Sequence, residues 1–165
     1  MQTISVVIIT KNSERCIKTC LESLSWADEI VVVDNDSSDT TLNICRKFEN
    51  VKLHEIPMKG LFGPYRNTAL SLAKNDWVLI LDADEYIPKE LASEIKNKIE
   101  SDKVIAYYLN RKNYFLGEWI KGCGWWPDAN IRLFRNGAAK WPTGIHDTIS
   151  IPCDQIIGIL DTPFI

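Results

Sequence analysis

The chain has 165 residues, 45% of them apolar and 25% charged, with a net charge of −3. That length suits one domain with a sizeable core, and that composition excludes a disordered chain. The negative balance argues against nucleic acid as the main partner, and no apolar stretch is long enough to span a bilayer.

Residues 3–10 (TISVVIIT) are β-branched and almost continuously apolar, which predicts a central strand covered on both faces. Residues 13–25 carry Cys16, Ile17, Cys20, Leu21 and Leu24 at helical spacing, with Ser13 as a candidate N-cap. A second buried strand is read at 29–33 (EIVVV), a helix at 38–48, a third strand at 51–56, a helix at 64–74 and a fourth strand at 77–81. Pro88 suits the first position of a helix over 89–99. Strands that alternate with helices imply a parallel sheet of βαβ units, an α/β fold. After Lys103 the pattern changes. Residues 104–110, 131–135 and 145–151 read as shorter strands, separated by segments rich in Gly, Pro and Trp. The expectation is one continuous domain, with 1–102 as the α/β part and 103–165 as a mixed region lying against it.

The charge is uneven. From Lys103 to Trp141 there are seven Lys or Arg and two Asp or Glu, a local balance of +5. Such a surplus is either a solvated face or a surface that meets an anion. The five cysteines are odd in number and scattered, with no CxxC spacing, which fits a reducing compartment better than a disulfide framework or a zinc site. With no signal-peptide pattern at Met1, a cytoplasmic location is expected.

In an open parallel sheet, ligands bind beyond the carboxyl ends of the strands. Three expected strand ends carry polar clusters: Thr10-Lys11-Asn12 with Glu14, then 34–39 (DNDSSD), then Asp82-Ala83-Asp84-Glu85. Turn formation and capping account for any one of these, but three on one edge suggest a site. Alternate residues of an extended segment point the same way. Asp82 and Asp84 can therefore offer oxygens to one site, where a hard divalent cation would offset their repulsion. Mn²⁺ and Mg²⁺ prefer carboxylates plus substrate phosphates to an all-protein cage.

The runs SVVIITKN, ADEIVVVDNDSSDTT, YRNTAL and DWVLILDADE resemble the inverting family 2 glycosyltransferases of GT-A fold. The later run NRKNYFLGEWIKGCGWWPDANIRLFRNGAAKW, followed by GIHD, is similar to the bacterial subgroup that adds sugars to the lipopolysaccharide inner core and to related envelope enzymes. The resemblance implies transfer of a hexose, glucose first, from a UDP-sugar to an envelope glycan or glycolipid, with Mn²⁺ or Mg²⁺ as cofactor. Thr10, Asn12 and Glu14 would lie at the nucleotide. Asp34 would contact the uracil or ribose side, with Asp36 matching the small polar position after it. Arg66, in YRN, matches a basic residue near the base. Asp82 would bond the ribose or the metal, and Asp84 would bind the metal. The family's base is an acid in a late dipeptide, here His146-Asp147, so Asp147 is the candidate, with Asp128 next.

Four of the six tryptophans lie between Trp119 and Trp141. Aromatic faces stack on sugars, and Trp125 and Trp126, beside glycines and before Pro127, are read as acceptor-binding. Trp26, Trp77 and Trp119 are read as core. Arg132 and Arg135, three apart, would face opposite sides of an ideal strand. Arg132 is chosen to reach the diphosphate or an acidic acceptor, and Arg135 is read as a surface charge. His54 is read as structural. Relatives in the subgroup continue beyond the final LDTPFI, so a shortened C-terminal part is expected, with peripheral attachment to the inner membrane face through it left open. Two other readings are carried. A nucleotidyltransferase would want a Gly-rich loop after the first strand, where TKNSER stands. A non-catalytic nucleotide-sugar-binding fragment would bind UDP without turnover.

Overall fold

The computed structural model describes residues 1–101, 103–142, 149–152 and 154–165. Its centre is a mixed sheet of seven strands: β1 (Ile4–Thr10), β2 (Glu29–Asp34), β3 (Val51–Glu55), β4 (Trp77–Asp82), β5 (Ala106–Asn110), β8 (Ala129–Arg135) and β9 (Ile157–Ile159). They lie in the order β3-β2-β1-β4-β8-β5-β9. β1, β2, β3 and β4 are mutually parallel. β8 runs antiparallel to both of its neighbours, and β9 is parallel to β5. The expected α/β architecture with a mostly parallel sheet is present. β6 (Tyr114–Phe115) and β7 (Glu118–Trp119) form a separate hairpin, which the sequence pattern did not suggest.

The apolar alternation of the strands builds two cores. Ile4, Val6, Ile8, Leu79 and Leu81 face one side, where α1 (Ile17–Glu22), α2 (Thr41–Cys45) and α4 (Lys89–Lys98) supply Leu21, Cys45 and Leu91. Val7, Val31, Val33 and Ile80 face the other, against Tyr65 and Ala69 of α3 (Phe62–Leu70) and against Trp141. β1, β2 and β4 are covered on both faces, which is why they read as unbroken apolar runs. Trp77 is fully buried, with its ring 5.7 Å from that of Tyr107. Its truncation to Ala would cost about 3–5 kcal/mol.

Several boundaries differ from the sequence reading. Ser13 does not cap α1. Its carbonyl accepts from Cys16 and Ile17 in a turn, and the helix starts at Ile17. α2 is reduced to five residues. Pro88 is itself the N-cap of α4, with φ −59° and ψ 151°, because its ring suits the extended approach to a helix. Of the expected strand at 145–151, residues 145–148 lie outside the described residues. Ser150 makes only an isolated bridge to Lys140, and the additional strand is β9.

One irregularity matters for the site. Tyr107 of β5 faces Leu133, but the next residue, Tyr108, faces Ile131. Arg132 is therefore the extra residue of a β-bulge, a device that re-aims a side chain. Arg132 turns to the carboxylates at the end of β4. Arg135 is not a plain surface charge: its guanidinium lies 4.9 Å from the Trp77 ring and donates to the Ser101 carbonyl at 3.0 Å.

α3 is held tightly against the segment carrying Trp141. A Cβ added at Gly63 would lie 2.3 Å from the Pro142 carbonyl oxygen, which is backbone and cannot swing aside. Gly63→Ala is expected to destabilise the fold by about 1–3 kcal/mol through overpacking. Urea unfolding measures this, and an unchanged midpoint would show that the two segments separate freely.

Candidate active site

The strand order 3-2-1-4 places a topological switch point between β1 and β4, where the chain leaves in opposite directions and a crevice opens. Ile9 pairs with Asp82 across that point, and Thr10 pairs with Asp34 on the other side. A cavity of about 480 Å³ lies there, lined among others by Asn12, Glu14, Asp39, Asp82 and Asp84. Asp82 also lines a small adjoining cavity with Arg66 and Trp141. Arg66 and Trp141 in turn line a third cavity, of about 300 Å³, with Arg132, Asn130 and Tyr108. The three form a groove along the carboxyl edge of the sheet.

The DxD segment is a turn rather than an extended run. The Glu85 N–H donates to the Asp82 carbonyl at 3.0 Å, and the Asp82 N–H donates to Glu85 Oε2 at 2.8 Å. Both aspartates reach the same cavity because Asp82 ends the strand and Asp84 stands exposed on the turn. Glu85 is 5% exposed and accepts from Arg132 Nη2 at 3.0 Å and Arg111 Nη1 at 3.3 Å. Burial pushes its carboxyl above the ordinary range. Arg132 opposes that rise, and the charge of Asp82 adds to it. Sequence reasoning placed Glu85 only in a cluster. A third acid after DxD, with two distant arginines, was the available signal.

The loops after β1 and β2 brace each other. Asn12 Oδ1 accepts from the Ser38 N–H at 2.8 Å, and the Asn12 N–H donates to Ser37 Oγ at 2.8 Å. Glu14 Oε2 accepts from the Thr40 N–H at 3.1 Å, while Asp39 Oδ2 accepts from the Glu14 N–H at 3.1 Å. Asn12 and Glu14 thus line the cavity with part of their hydrogen-bonding capacity already spent on the loops. Asp34 is 1% exposed and folds its own loop by accepting from the Ser37 N–H at 2.8 Å. Asp36 is exposed at φ +58°. Thr10 is buried, and its hydroxyl has no partner among the described residues.

The Arg66 guanidinium lies against two rings, 4.4 Å from Phe62 and 4.8 Å from Trp141. Burial and Arg132 lower its pKa while Asp82 raises it. Arg132 also contacts Asp82 at 3.4 Å, so the basic second half partly neutralises the acidic strand end. Trp125 and Trp126 line none of the three cavities. Trp126 meets Trp119 edge-on at 5.1 Å, and Trp125 is exposed beside them. Trp119 is therefore in this aromatic pair and not in the core clusters. Trp141 is the tryptophan at the groove, and the sequence reading had not singled it out. Asp147 lies outside the described residues. Asp128 accepts from Arg111, Asn113 and Asn130 at 2.8–2.9 Å, and these bonds hold its carboxyl below the ordinary range despite partial burial.

Metal chemistry fits the residues present in a limited way. Among the described residues no group of three His, Cys, Asp or Glu side chains converges. The protein offers the paired carboxylates Asp82 and Asp84, which suits a small hard cation that takes its other ligands from a diphosphate and water. The four described cysteines are free, and no described helix is long and apolar enough to cross a membrane.

The family model for glycosyl transferase family 2 matches residues 5–152. An uncharacterized glycosyltransferase, RT0209, of Rickettsia typhi is 32% identical over 169 residues, covering 100% of this chain and 56% of that protein. The chain thus spans about half the length of that relative, and 18% of the Staphylococcus aureus poly(ribitol-phosphate) beta-N-acetylglucosaminyltransferase TarS, to which it is 40% identical over 100 residues, 54% of this chain. The structure of TarS 1-349 in complex with UDP-GlcNAc matches with TM-score 0.60 and 33% identity, covering 72% of this chain and 36% of that one. The mannosyltransferase PcManGT of Pyrobaculum calidifontis in complex with GDP-Man and Mn²⁺ matches with TM-score 0.56 and 27% identity, covering 67% and 36%.

The Asp128 network yields a pH prediction. Its folded pKa is lowered, so its stabilisation is present above the unfolded value near 4 and disappears as pH falls through the folded value. Asp128→Asn should lower stability at neutral pH by about 1–3 kcal/mol and flatten the loss below about pH 4. Urea midpoints across acidic pH test this, and parallel curves for parent and variant would refute it.

Proposed function

The chain belongs to glycosyl transferase family 2, and from that membership we propose that it transfers a hexose from a UDP-sugar to a hydroxyl of a bacterial envelope glycan with inversion. The observation that carries the reading is the position of Asp82 and Asp84 on one cavity at the switch point, beside Arg132 and Arg66. A neighbour of 33% identity holds UDP-GlcNAc, and one of 27% identity holds GDP-Man with Mn²⁺. Both glucose and N-acetylglucosamine are therefore donors to test. The resemblance of the region around Trp126 favours a lipopolysaccharide core acceptor, whereas the name of TarS points to a ribitol phosphate polymer. The shared class is an envelope polymer.

In this proposal Asn12, Glu14 and the loop begun by Asp34 hold the nucleoside, with Thr10 and Asp36 at its margin. Asp84, with Asp82 beside it, holds the divalent cation, Mn²⁺ or Mg²⁺, which would stabilise negative charge on the leaving diphosphate. Arg132, steadied by Glu85, and Arg66, steadied by Phe62 and Trp141, add positive charge along the groove. Asp147 takes the proton of the attacking hydroxyl. Asp128, held by three donors, is a weak base. Trp125 and Trp126 would meet an acceptor long enough to leave the groove.

UDP should raise the melting temperature in Mn²⁺ and much less in EDTA, and GDP should do less than UDP. An equal response to both nucleotides, or no effect of EDTA, refutes the donor assignment. Asp84→Asn should lose most of the Mn²⁺-dependent shift while keeping the parental melting temperature without ligand. Asp147→Asn should keep UDP binding and lower turnover on the order of 10²–10⁴-fold, the usual contribution of a placed base. Radiolabelled sugar transfer to a core-glycan acceptor reads this, and turnover within about threefold of the parent would remove Asp147 from the role.

A further inference from the structure

We infer that Glu85 is a positioning residue: it keeps the Arg132 guanidinium from closing on Asp82, so that Asp82 stays open to a cation and Arg132 to a diphosphate. The inference rests on the reading that a divalent cation and a nucleoside diphosphate occupy this groove. Arg132 Nη2 stands between two carboxylates, 3.0 Å from Glu85 Oε1 and 3.4 Å from Asp82 Oδ2. Only one of the two is buried. The Glu85 side chain is 6% exposed and that of Asp82 44%. Water screens Asp82, so the shorter pair with Glu85 is also the stronger one.

Both partners of that pair are fixed from outside the groove. Glu85 Oε2 accepts the Asp82 N–H at 2.8 Å, and Oε1 also takes Arg111 Nη1 at 3.3 Å. Arg111 is anchored in turn, its Nε donating to Asp128 Oδ2 at 2.9 Å. The buried Phe164 ring lies 5.5 Å from the Arg132 guanidinium. Phe164 is tied to the end of β5, its N–H donating to the Asn110 carbonyl at 3.0 Å and its carbonyl accepting the Lys112 N–H at 2.8 Å. The next residue, Ile165, exchanges both backbone hydrogen bonds with Tyr86, which directly follows Glu85. The pair is thus held by β5, β8 and the segment 164–165 together.

The division of charge matters here more than its total. The acids of the turn are Asp82, Asp84 and Glu85, and the arginines near them are Arg66, Arg111 and Arg132, with Asp128 taken up by Arg111. Which acid holds which arginine decides how much negative charge is left for a cation. With Glu85 charged, Arg132 is shared, and its Nε and Nη1 have no partner among the described residues. Its side chain lines the cavity of about 300 Å³ beside Arg66. Without the charge of Glu85, Asp82 is the carboxylate left to Arg132. The guanidinium then settles on Asp82, in the place of the cation, and is withdrawn from the diphosphate.

The test is a double-mutant cycle read by isothermal titration of UDP into the 165-residue chain in Mn²⁺. Glu85→Gln keeps an oxygen for the Asp82 N–H and removes the charge that holds Arg132. It should weaken UDP binding about tenfold. The Mn²⁺–UDP complex is anionic, so loss of a negative charge by itself would strengthen its binding. With Arg132→Gln already in place, Glu85→Gln should change the affinity by less than about twofold, because Glu85 acts through Arg132. A like loss in both backgrounds would make Glu85 a structural part of the turn alone and overturn the proposal. Parental affinity in Glu85→Gln would overturn it as well. Arg132→Lys leaves Glu85 in place, and its single ammonium cannot serve Glu85 and the groove at once, so it should weaken UDP binding about tenfold. Parental affinity in that variant overturns the proposal whether or not Glu85→Gln folds. Failure of the parent to bind UDP would instead overturn the donor reading, and this inference with it.

Discussion

A buried carboxylate joins the two parts of this chain. Glu85 lies within the turn that ends β4, and its oxygens take the Asp82 N–H, Arg132 from β8 and Arg111 from the end of β5. Desolvation of such a group is unfavourable unless every partner is in place, and loss of one partner from a buried pair typically costs about 3–5 kcal/mol. The geometry of the DxD turn is consequently coupled to the register of β8 against β5. The bulge that turns Arg132 towards Glu85 is part of the same arrangement.

Around that centre the groove is assembled from elements far apart in the chain. β1 and β4 provide the crevice, and the loops after β1 and β2 stiffen one wall through reciprocal side-chain to backbone bonds. α3 provides the other wall, pressed against Pro142 at Gly63 and carrying Arg66, which contacts the rings of Phe62 and Trp141. Several polar side chains of the β1 and β2 loops are spent on shape. The carboxylates of Asp82 and Asp84 and the guanidinium of Arg66 are the charges most available to a ligand. Such a division gives the groove rigid walls and a few well-placed charges.

The surplus of positive charge after Lys103 has two destinations. Arg111 and Arg132 turn inward to acids of the strand ends and of Asp128. Lys112 and Lys121 stay with the hairpin, against the Trp119 ring. Part of the positive surplus is thus balanced within the fold, by Glu85, Asp128 and Asp82.

By itself the sequence determined the α/β class, the buried character of β1, β2 and β4, and the carboxylates waiting at their ends. Those features follow from local pattern: continuous β-branched runs, helical spacing and a strand that stops in DxD. Resemblance of whole motifs added the family, which no composition or period could supply. Only the tertiary structure decided the remainder. Strand order, the site of the crevice and the choice of Trp141 over Trp125 for its wall depend on which distant segments become neighbours. The DxD works as a turn rather than an extended run because Glu85 reaches back to the Asp82 N–H, a contact that alternation does not predict. The aim of Arg132 at the end of β4 depends on a bulge set by pairing with β5, and that pairing is invisible until the two strands, distant in the chain, lie side by side.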